Sequence, residues 1–384
     1  MNILIVRPTA TVINRNSYNI QEEGIAKEYA KNGHNCTIVF YTDKDYEEEN
    51  ILVADKCFRV VWMPAVKVYD NAIFYRKYMK RLIDNSDVIV TEEYEQMYSC
   101  YLAYKYYWKT IIYHGPYDCA YKSRYQKKSQ LFDKVFLRKL QSVNTQFVTK
   151  SNLSRRTIEA KGFKDITVIP VGIDLTKFSA SEYNNCILSY ESKNPIRLLY
   201  IGVLEDRRNI TFMIEVMKVL KTFMIPFEFT IVGDGEKSYV NECISLVHKY
   251  GLSKDITFGE SKPQSELPAI YKSHDIFLLP SKYEIFGMVI LEAMLFGRIV
   301  LSSNNGGSDA VINDGKNGFI LGIESPMAWA KKIKDIYDGK YSAEKISHNA
   351  HEIVLNRCTW ENAAHQFENV IRRKINGKSQ SSNC

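Results

Sequence analysis

The 384-residue sequence lacks the features that define several classes of protein. It has no run of 18 or more apolar residues, so no transmembrane helix is expected. Its first residues, Met1–Val6, form a short apolar run that ends at Arg7, without the basic start and long apolar core of a signal peptide. The eight cysteines form no C-x-x-C pair, so neither a zinc site nor a disulfide framework is indicated, and reduced thiols in a cytosolic protein are expected.

Two further signatures are incomplete. Gly233-x-Gly235 is followed by Ser238 instead of a third glycine, which disfavours a dinucleotide-dependent dehydrogenase. Asp43 and Asp45 have the spacing of a metal-binding Asp-x-Asp pair, but they open the acidic run Asp43–Glu49. A solvated loop is the simpler interpretation of that run, so no metal site is predicted there.

The charge is distributed unevenly along the chain. Apolar residues make up 45% and charged residues 25%, which are ordinary values for a globular protein and exclude extensive disorder. Up to Pro170 there are 26 Lys and Arg against 19 Asp and Glu, whereas from Val171 onward each group has 25. The net charge of +7 therefore lies in the first half, which predicts an anionic partner there, either nucleic acid or an anionic membrane surface. No nucleic-acid-binding module is recognisable, so no nucleic acid is expected.

Strand and helix patterns alternate along the first half, as in βαβ units with a parallel sheet. A helix is predicted at Gln21–Asn32, closed by Gly33. The predicted strands are Ile3–Val6, Cys36–Tyr41, Val88–Thr91, Thr110–Tyr113, Gln146–Thr149 and Ile166–Ile169. The uneven polar stretch Ser179–Asn194 then favours a domain boundary between residues 170 and 195.

A second alternating series follows that boundary. Its predicted helices are Ile210–Thr222 and Ser238–Tyr250, and its predicted strands are Ile196–Ile201, Glu228–Val232, Ile256–Phe258, Ile276–Leu279 and Ile299–Ser302. The fold class is therefore α/β, with two doubly wound parallel-sheet domains, 1–170 and 171–359, facing each other across a cleft. An amphipathic helix at 360–375 and a disordered tail at 376–384 complete the prediction.

The most specific motif is Glu284-Ile-Phe-Gly-Met-Val-Ile-Leu-Glu292, which directly follows the strand and turn Phe277–Ser281. Gly287 allows close approach of a ligand at the start of the helix Met288–Phe296, where free amides and the helix dipole favour a phosphate. Glu292, one turn into the helix, could accept hydrogen bonds from ribose hydroxyls. Glu284, before the helix, could accept them from the hydroxyls of a sugar beyond the phosphates.

With these residues the sequence resembles glycosyltransferase family 4, the retaining GT-B enzymes that use nucleotide sugars. The matching segments in the second half are Ile231–Glu236, Asp255–Gly259, Tyr271–Ile276, Asn305–Gly307 and Asp314–Phe319, together with Gly172–Asp174 and Phe178 in the linker. The resemblance implies two Rossmann-like domains. The second holds the donor and the first holds the acceptor, and the helix that starts at Trp360–Glu361 packs back on the first domain.

The resemblance also assigns the donor site. The family places two basic residues after the first strand of the second domain, and in Gly202–Asn209 Arg208 matches the usual Lys. Val203 stands where the family often has Arg, so either one diphosphate contact is missing or Arg207 replaces it. The donor-binding residues implied are Gly202, Arg207, Arg208, Gly233, Glu284, Phe286, Gly287, Met288, Val289 and Glu292. A cation such as Arg208 at a helix start is repelled by the positive end of the helix dipole. Its presence there therefore favours a bound anion that compensates both positive charges.

The first half matches the family less closely. Many relatives have a Gly-Gly loop after the first strand, whereas Asn16–Asn19 contains no glycine and Gln21–Gly24 follows. His114 comes directly after a predicted strand and resembles the family's His on the sugar side, although a lone His is commonly structural. The residues expected to be catalytic are thus Glu284, His114 and Arg208.

Two segments of the first half allow alternative interpretations. Tyr121–Lys139 contains seven Lys and Arg and one acid, Asp133, interleaved with apolar residues. It is either a basic amphipathic helix that binds an anionic membrane surface or an ordinary solvated helix. The Tyr-rich run Tyr98–Trp108 either stacks on sugars or forms a packed helix, and the packed helix is preferred.

The resemblance implies a retaining glycosyltransferase of the hexosyltransferase class, with a UDP-sugar as the expected donor. Its acceptor would be a glycan or a lipid-linked molecule in cell-surface polysaccharide biosynthesis. No cofactor and no metal are expected, and the protein would be cytoplasmic, with a peripheral position on the inner face of the membrane as a further hypothesis. The alternatives are a sugar-nucleotide-binding protein without transfer activity and a GT-B epimerase.

Overall fold

The structure is a computed structural model that describes residues 1–15, 20–118, 121, 123–184, 186–188 and 195–381, without the side chains of residues 123–126, 128 and 377–381. The chain forms two compact units, Met1–Asp174 with Thr359–Cys384, and Leu175–Cys358. The predicted loop Asn16–Asn19 lies outside the described residues. Within them, no helix is both long enough and apolar enough to cross a membrane, and Cys36, 57, 100, 186, 243 and 358 are free thiols.

The first unit alternates strands and helices. Its strands are β1 (Asn2–Val6), β2 (Asn35–Thr42), β3 (Glu47–Val53), β4 (Lys56–Val68), β5 (Asn71–Phe74), β6 (Val88–Glu92), β7 (Thr110–His114), β8 (Gln146–Thr149) and β9 (Thr167–Val168). Its helices up to residue 174 are α1 (Gln21–Lys31), α2 (Arg76–Asp84), α3 (Met97–Lys105), α4 (Ser123–Phe132), α5 (Arg138–Ser142) and α6 (Asn152–Ala160). The strand order is β3-β4-β2-β1-β6-β7-β8-β9, and β5 pairs with β4. All neighbours along this order from β4 to β9 are parallel, as expected for βαβ units, although β4 and β5 were not predicted as strands.

The edge of this sheet differs from the prediction. The acidic run Asp43–Glu49 is not simply a solvated loop, because from Glu47 onward it forms β3, which pairs antiparallel with β4. Glu49 accepts hydrogen bonds from Arg15 Nη1 at 2.9 Å and from Trp62 Nε1 at 3.0 Å. Charged side chains along an edge strand remain hydrated while the backbone pairs on one side, so a strand tolerates this composition at that position.

The basic stretch Tyr121–Lys139 is not one continuous α-helix. It contains α4, a π-helical turn at Asp133–Leu137 and the start of α5. Leu131 and Val135 are exposed, whereas Phe132 and Phe136 pack against a buried cluster around Tyr94 and Phe147. Lys122 and the side chains of Arg124, Tyr125 and Lys128 lie outside the described residues.

The second unit has a shorter sheet. Its strands are β10 (Ile196–Ile201), β11 (Phe227–Val232), β12 (Ile256–Gly259), β13 (Ile276–Leu279), β14 (Ile299–Ser303) and β15 (Phe319–Leu321). Its helices are α7 (Ala180–Tyr183), α8 (Ile210–Thr222), α9 (Lys237–Lys249), α10 (Leu267–Lys272), α11 (Met288–Leu295), α12 (Gly306–Val311), α13 (Pro326–Tyr337) and α14 (Ala343–Arg357). The strands are all parallel, in the order β12-β11-β10-β13-β14-β15. The predicted doubly wound parallel sheets are therefore confirmed.

The last helix, α15 (Trp360–Ser381), belongs to the first unit, where it packs against α1. The rings of Phe367 and Tyr113 meet edge to face at 5.0 Å. Gly24 of α1 lies against the Trp360 indole so closely that a Cβ at this position would overlap the ring. The helix continues beyond its predicted end at Ile375, since residues 376–381 contain no proline and one glycine costs a helix only about 1 kcal/mol.

The contact between Gly24 and Trp360 predicts whether Gly24→Ala stabilises or destabilises the protein. Gly24→Ala in an unconstrained helix stabilises by about 1 kcal/mol through helix propensity. Here the added methyl displaces Trp360, so we expect a loss of roughly 1–3 kcal/mol in the free energy of unfolding. Urea unfolding followed by tryptophan fluorescence measures the change, and a gain in stability would contradict the packing of α15 on α1.

Candidate functional site

The strand order of the second unit creates a switch point between β10 and β13. The chain leaves β10 toward β11 through α8 and leaves β13 toward β14 through α11, in opposite directions across the sheet. Right-handed crossovers in opposite directions place the two helices on opposite faces, so the loops after β10 and β13 separate at the carboxyl edge. Ligands of doubly wound sheets bind at such a point. These two loops, 202–209 and 280–287, contain most of the residues implied for the donor site.

Glu284 meets both arginines of the opposite loop. Its Oε2 forms an ion pair with Arg208 Nη1 and lies 3.4 Å from Arg207 Nη1. Arg207 also donates to the Tyr283 carbonyl at 2.9 Å and to Glu205 Oε1 at 2.6 Å. The side chain of Glu284 is only 11% exposed, so this carboxylate depends on the two guanidinium groups to compensate its desolvation. The three residues Glu284, Arg207 and Arg208, which the sequence analysis assigned to the donor site, thus lie in contact, and the sequence did not foresee that they bind each other.

Arg208 retains hydrogen-bonding capacity that the described residues do not use. It closes a 3₁₀ turn, Asp206–Arg208, and Asn209 in the left-handed region then leads into α8. Arg208 Nε is buried and makes no hydrogen bond with any described residue. Burial lowers the pKa of Arg208. Val203, at the position where a second cation is common in the resembling family, is 55% exposed and supplies no charge.

The helix α11 begins without a side-chain cap. Its N-cap is Gly287, with φ +76°, and a Cβ there would lie 2.9 Å from Glu284 Cγ. Gly306 donates its N–H to the Glu284 carbonyl at 2.9 Å and so fixes the loop from the other side. The first turn, with Met288 and Val289, contains no acidic residue. It therefore presents uncapped amides next to the two arginines, an arrangement suited to an anion.

The glycines after β10 and β11 allow the ends of these two strands to lie close together. Gly202 and Gly233 adopt φ +152° and +148°. A Cβ on Gly233 would overlap the Gly202 carbonyl oxygen, so the two strand ends approach as closely as backbone allows. Phe286 is buried beneath the same loop system and supports it from the protein interior.

Glu292 is a buried carboxyl group that is only partly satisfied. It is 1% exposed, and its Oε2 accepts a hydrogen bond from the Tyr271 hydroxyl at 2.9 Å. Its Oε1 has no hydrogen-bond partner among the described residues. Burial raises the pKa of Glu292 to about 8. An unsatisfied buried oxygen at this edge fits a hydroxyl-bearing ligand.

Tyr271 was not identified as a site residue from the sequence. It lies on α10, 21 residues before Glu292, and only the fold brings its hydroxyl to the carboxyl group.

His114 lies in the first unit, at the carboxyl end of β7. Its ring is fully buried, and Nδ1 lies 3.2 Å from both Glu93 Oε2 and the Tyr94 amide. Its Nε2 has no hydrogen-bond partner among the described residues, whichever nitrogen carries the proton. The buried Nε2 therefore retains a hydrogen-bonding capacity that the described residues do not satisfy.

Glu93 holds His114 within a network that the sequence analysis missed. Its carboxylate also binds Lys150 Nζ at 3.1 Å and the Gly115 amide at 3.0 Å. Burial by itself would raise the pKa of Glu93, but Lys150 and His114 outweigh burial and lower it. The only sequence signal was a pair of acids, Glu92-Glu93, directly after a buried strand.

Two further acids, Glu22 and Glu92, lie beside this network and share the cation Arg7. Glu22 of α1 binds Arg7 Nη1 at 3.0 Å, and Glu92 Oε2 lies 3.9 Å from Arg7 Nε. Burial, reinforced by the nearby charge of Glu22, raises the pKa of Glu92. The carboxyl edge of the first sheet therefore carries opposite charges that are largely withdrawn from water.

Two family models together match about five-sixths of the chain. Residues 23–177 match the model for Glycosyltransferase Family 4, and residues 189–353 match the model for Glycosyl transferases group 1. The chain belongs to the GT-B glycosyltransferases of the family 4 type. The resemblance seen in the sequence motifs is thereby confirmed.

Curated relatives of the family are about a quarter to a third identical to the chain over the segments that match. The lipopolysaccharide 1,2-N-acetylglucosaminetransferase of Salmonella typhimurium is 27% identical over 218 residues, covering 54% of this chain and 56% of that protein. A probable sucrose-phosphate synthase of Thermosipho melanesiensis is 32% identical over 216 residues, covering 54% and 48%. The matched segments thus span about half the length of these relatives.

Solved structures agree with this family at the level of the fold. The Anabaena protein Alr3699/HepE in complex with UDP-glucose superposes with a TM-score of 0.68 over 97% of this chain and 100% of its own, at 18% identity. The two parallel-sheet α/β domains are those of the GT-B fold.

The buried Glu292 predicts a dependence of stability on pH. An unfolded glutamate titrates near pH 4.3, whereas the folded group titrates at about 8, so the folded state binds the extra proton between these values. We expect this group to lower the free energy of unfolding by roughly 1 kcal/mol per pH unit as the pH rises from 5 to 8. Glu292→Gln removes this slope, so its stability relative to wild type should increase over that interval.

Urea unfolding at pH 5, 6.5 and 8 measures the effect, with the exposed Glu266→Gln as the matched control. Parallel pH profiles of wild type and Glu292→Gln would show that Glu292 is not a buried, protonated group.

The Glu93–Lys150 pair predicts a large loss on substitution. Glu93→Gln leaves the buried Lys150 without its counter-ion, so we expect destabilisation of about 3–5 kcal/mol. Glu159→Gln breaks the surface pair with Arg155, which spans one helical turn and contributes less than about 0.5 kcal/mol. Chemical unfolding compares the two variants, and equal small effects would contradict a buried ion pair.

Proposed function

We propose that the protein is a retaining, metal-independent glycosyltransferase that moves a sugar from a UDP-linked donor to a glycan or lipid-linked acceptor. The observation that carries the proposal is the cluster of Arg207, Arg208 and Glu284 beside the uncapped start of α11. Cell-surface polysaccharide synthesis is the proposed setting, in line with the relative from Salmonella, whose name describes action on lipopolysaccharide.

The second domain supplies the donor site. The diphosphate would bind the guanidinium groups and the amides of Met288 and Val289, since both are cationic or partly positive and lie at one edge of the sheet. The ribose hydroxyls would donate to Glu292, whose Oε1 lacks a hydrogen-bond partner among the described residues. UDP is favoured as the nucleotide by the UDP-glucose complex of the Anabaena structure.

Arg208 would keep its pair with Glu284 when the donor binds and would gain a phosphate contact. Its guanidinium is paired with Glu284, and its Nε lies 3.8 Å from Glu205 Oε1 and makes no hydrogen bond with the described residues, so this N–H could donate to a phosphate oxygen without breaking the pair with Glu284. Glu284, held by two arginines, then accepts hydrogen bonds from sugar hydroxyls instead of acting as a free base.

Cleavage of the donor requires stabilisation of the departing diphosphate. Preorganised amides and arginines supply this without a metal, because they need no reorganisation as the charge develops. In the retaining mechanism proposed, the acceptor attacks from the face that the diphosphate leaves, and a donor phosphate oxygen takes the acceptor proton. No nucleophile from the protein is then needed.

The first domain would position the acceptor and the reacting sugar. His114 Nε2, buried and without a partner among the described residues, would bind a sugar hydroxyl. Glu93 would fix the orientation of the imidazole through Nδ1.

Substitutions in the cluster separate nucleotide binding from sugar handling. Arg208→Ala should weaken UDP binding about 10- to 100-fold, since a hydrogen bond to a charged group contributes about 1.5–3 kcal/mol. Glu284→Ala should leave UDP affinity within a few-fold of wild type, because its expected contact is with the sugar, yet abolish release of UDP from UDP-sugars. Titration calorimetry with UDP and a coupled assay of UDP release measure the two quantities.

Arg357→Ala, on the exposed end of α14, is the matched control for loss of a cation. Unchanged UDP affinity in Arg208→Ala would contradict the donor site. Tight UDP binding without UDP release, for any donor and acceptor set, would contradict transfer and favour a sugar-nucleotide-binding protein, and conversion of one UDP-sugar into another would favour the epimerase.

A further inference from the structure

An apolar cavity of about 320 Å³ opens on the first domain, on α2 and α3. Its floor is formed by Phe74 of β5, Met79 and Ile83 of α2, and Met97 of α3, and Phe136 of the π-helical turn closes one side. This volume is at the lower end of small-molecule sites, which measure about 300–1,000 Å³. None of its lining residues is among those assigned to sugar transfer.

The lining favours an apolar occupant over a glycan. Sugars are commonly bound through carboxylates and amides, and neither type of side chain is found among the described residues that line this cavity. The polar side chains among these described lining residues are three tyrosines and the cations Arg76 and Lys80. The occupant that fits is an apolar chain with an anionic group at its end.

The rim of the cavity is cationic. The nine residues of α2 include four cations, at positions 76, 77, 80 and 81, and one acid, Asp84. Lys80 shares an exposed pair with Asp84, which compensates little of the charge. Arg76 forms no ion pair with any described residue, and Lys134, Arg138 and Lys139 add exposed cations on the neighbouring turn and α5.

Aromatic side chains lead from the cavity to the surface. Tyr98 and Tyr101 lie 5.6 Å apart between ring centres, Tyr101 and Tyr106 6.4 Å, and Tyr106 and Trp108 5.8 Å. Tyr98 is buried, whereas Tyr101 is 43% and Trp108 36% exposed. The preferred interpretation, a packed helix, agrees with the buried face of α3, whereas the other side of the run exposes aromatic rings. Amphipathic rings next to cations are typical of the boundary between lipid and water.

We propose that this cavity takes one acyl chain of an anionic phospholipid and so holds the first domain on a bilayer. The phosphate of the lipid would lie on Arg76 and Lys80, and Tyr101 and Trp108 would lie at the level of the headgroups. The proposal transfers the membrane contact from Tyr121–Lys139 alone to α2, α3 and the π-helical turn together. It does not depend on glycosyl transfer.

Co-sedimentation with vesicles tests the electrostatic part. Wild type should bind vesicles of phosphatidylglycerol and phosphatidylcholine in equal parts, and bind pure phosphatidylcholine far less. Arg76→Ala/Lys80→Ala should bind the anionic vesicles about 30-fold more weakly, since each cation at such a surface contributes about a factor of five. Lys254→Ala/Lys345→Ala removes the same charge from the second domain and should bind like wild type.

A second pair of variants tests whether the cavity itself is used. Met97→Trp fills the cavity and keeps every cation, and it should weaken binding tenfold or more, because each buried methylene contributes roughly a factor of four. Ile73→Phe fills less of the cavity and serves if the larger residue prevents folding. UDP affinity and the unfolding transition confirm that each variant is intact.

The fluorescence of Trp108 reports whether this part of the first domain inserts into the bilayer. Phosphatidylglycerol with brominated acyl chains should quench tryptophan fluorescence in wild type, and Trp108→Phe should remove that quenching. Full binding by both cavity-filling variants, equal binding to neutral vesicles, or quenching unchanged in Trp108→Phe would each overturn the proposal.

Discussion

The parallel pairing of β10 with β13 is the contact on which the candidate donor site depends. Leu198 lies opposite Ile276 and Leu199 opposite Phe277, so the first and fourth strands of the second domain end side by side. Because the chain leaves them in opposite directions, a gap opens at the carboxyl edge where the two loops begin. The ion pairs of Glu284 with Arg207 and Arg208 then join these loops from either side. The strand order thus determines where the candidate site lies, and a few charged side chains determine which ligands it can bind.

Both sheets concentrate ionisable groups at their carboxyl edges, but they do so differently. In the second domain Glu292 is desolvated with one oxygen unsatisfied among the described residues, an arrangement that a ligand can complete. In the first domain Glu93 and Lys150 neutralise one another and orient His114, whose Nε2 is the group left for a ligand. Buried ion pairs are costly to assemble and costly to break, so removal of either Glu93 or Lys150 would leave an uncompensated buried charge beside His114.

Most strands of both sheets were predictable because buried parallel strands are short β-branched runs, and β10 and β13 match their predicted bounds. β3, β4, β5 and β15 were not predicted; the glutamates of β3 resemble a loop, and an edge strand needs no apolar face. Glu284, Glu292 and Arg208 could be assigned to a donor site from the sequence because they lie within one local motif or next to a strand end. Lys150 and Tyr271 were not, since Lys150 is 57 residues from Glu93 and Tyr271 is 21 residues from Glu292, and no periodicity connects them. Site residues that lie within one motif can thus be recognised in the sequence. Residues that orient them from distant parts of the chain can be identified only in the folded structure.

The most direct test of the account is a crystal structure of the protein with UDP-glucose. The account predicts the diphosphate against Arg208 and the first turn of α11, with a ribose hydroxyl within about 3 Å of Glu292 Oε1. It also predicts a glucose hydroxyl on Glu284. A nucleotide bound elsewhere, or bound here with Glu292 Oε1 still without a partner and Arg208 turned away from the phosphates, would contradict it.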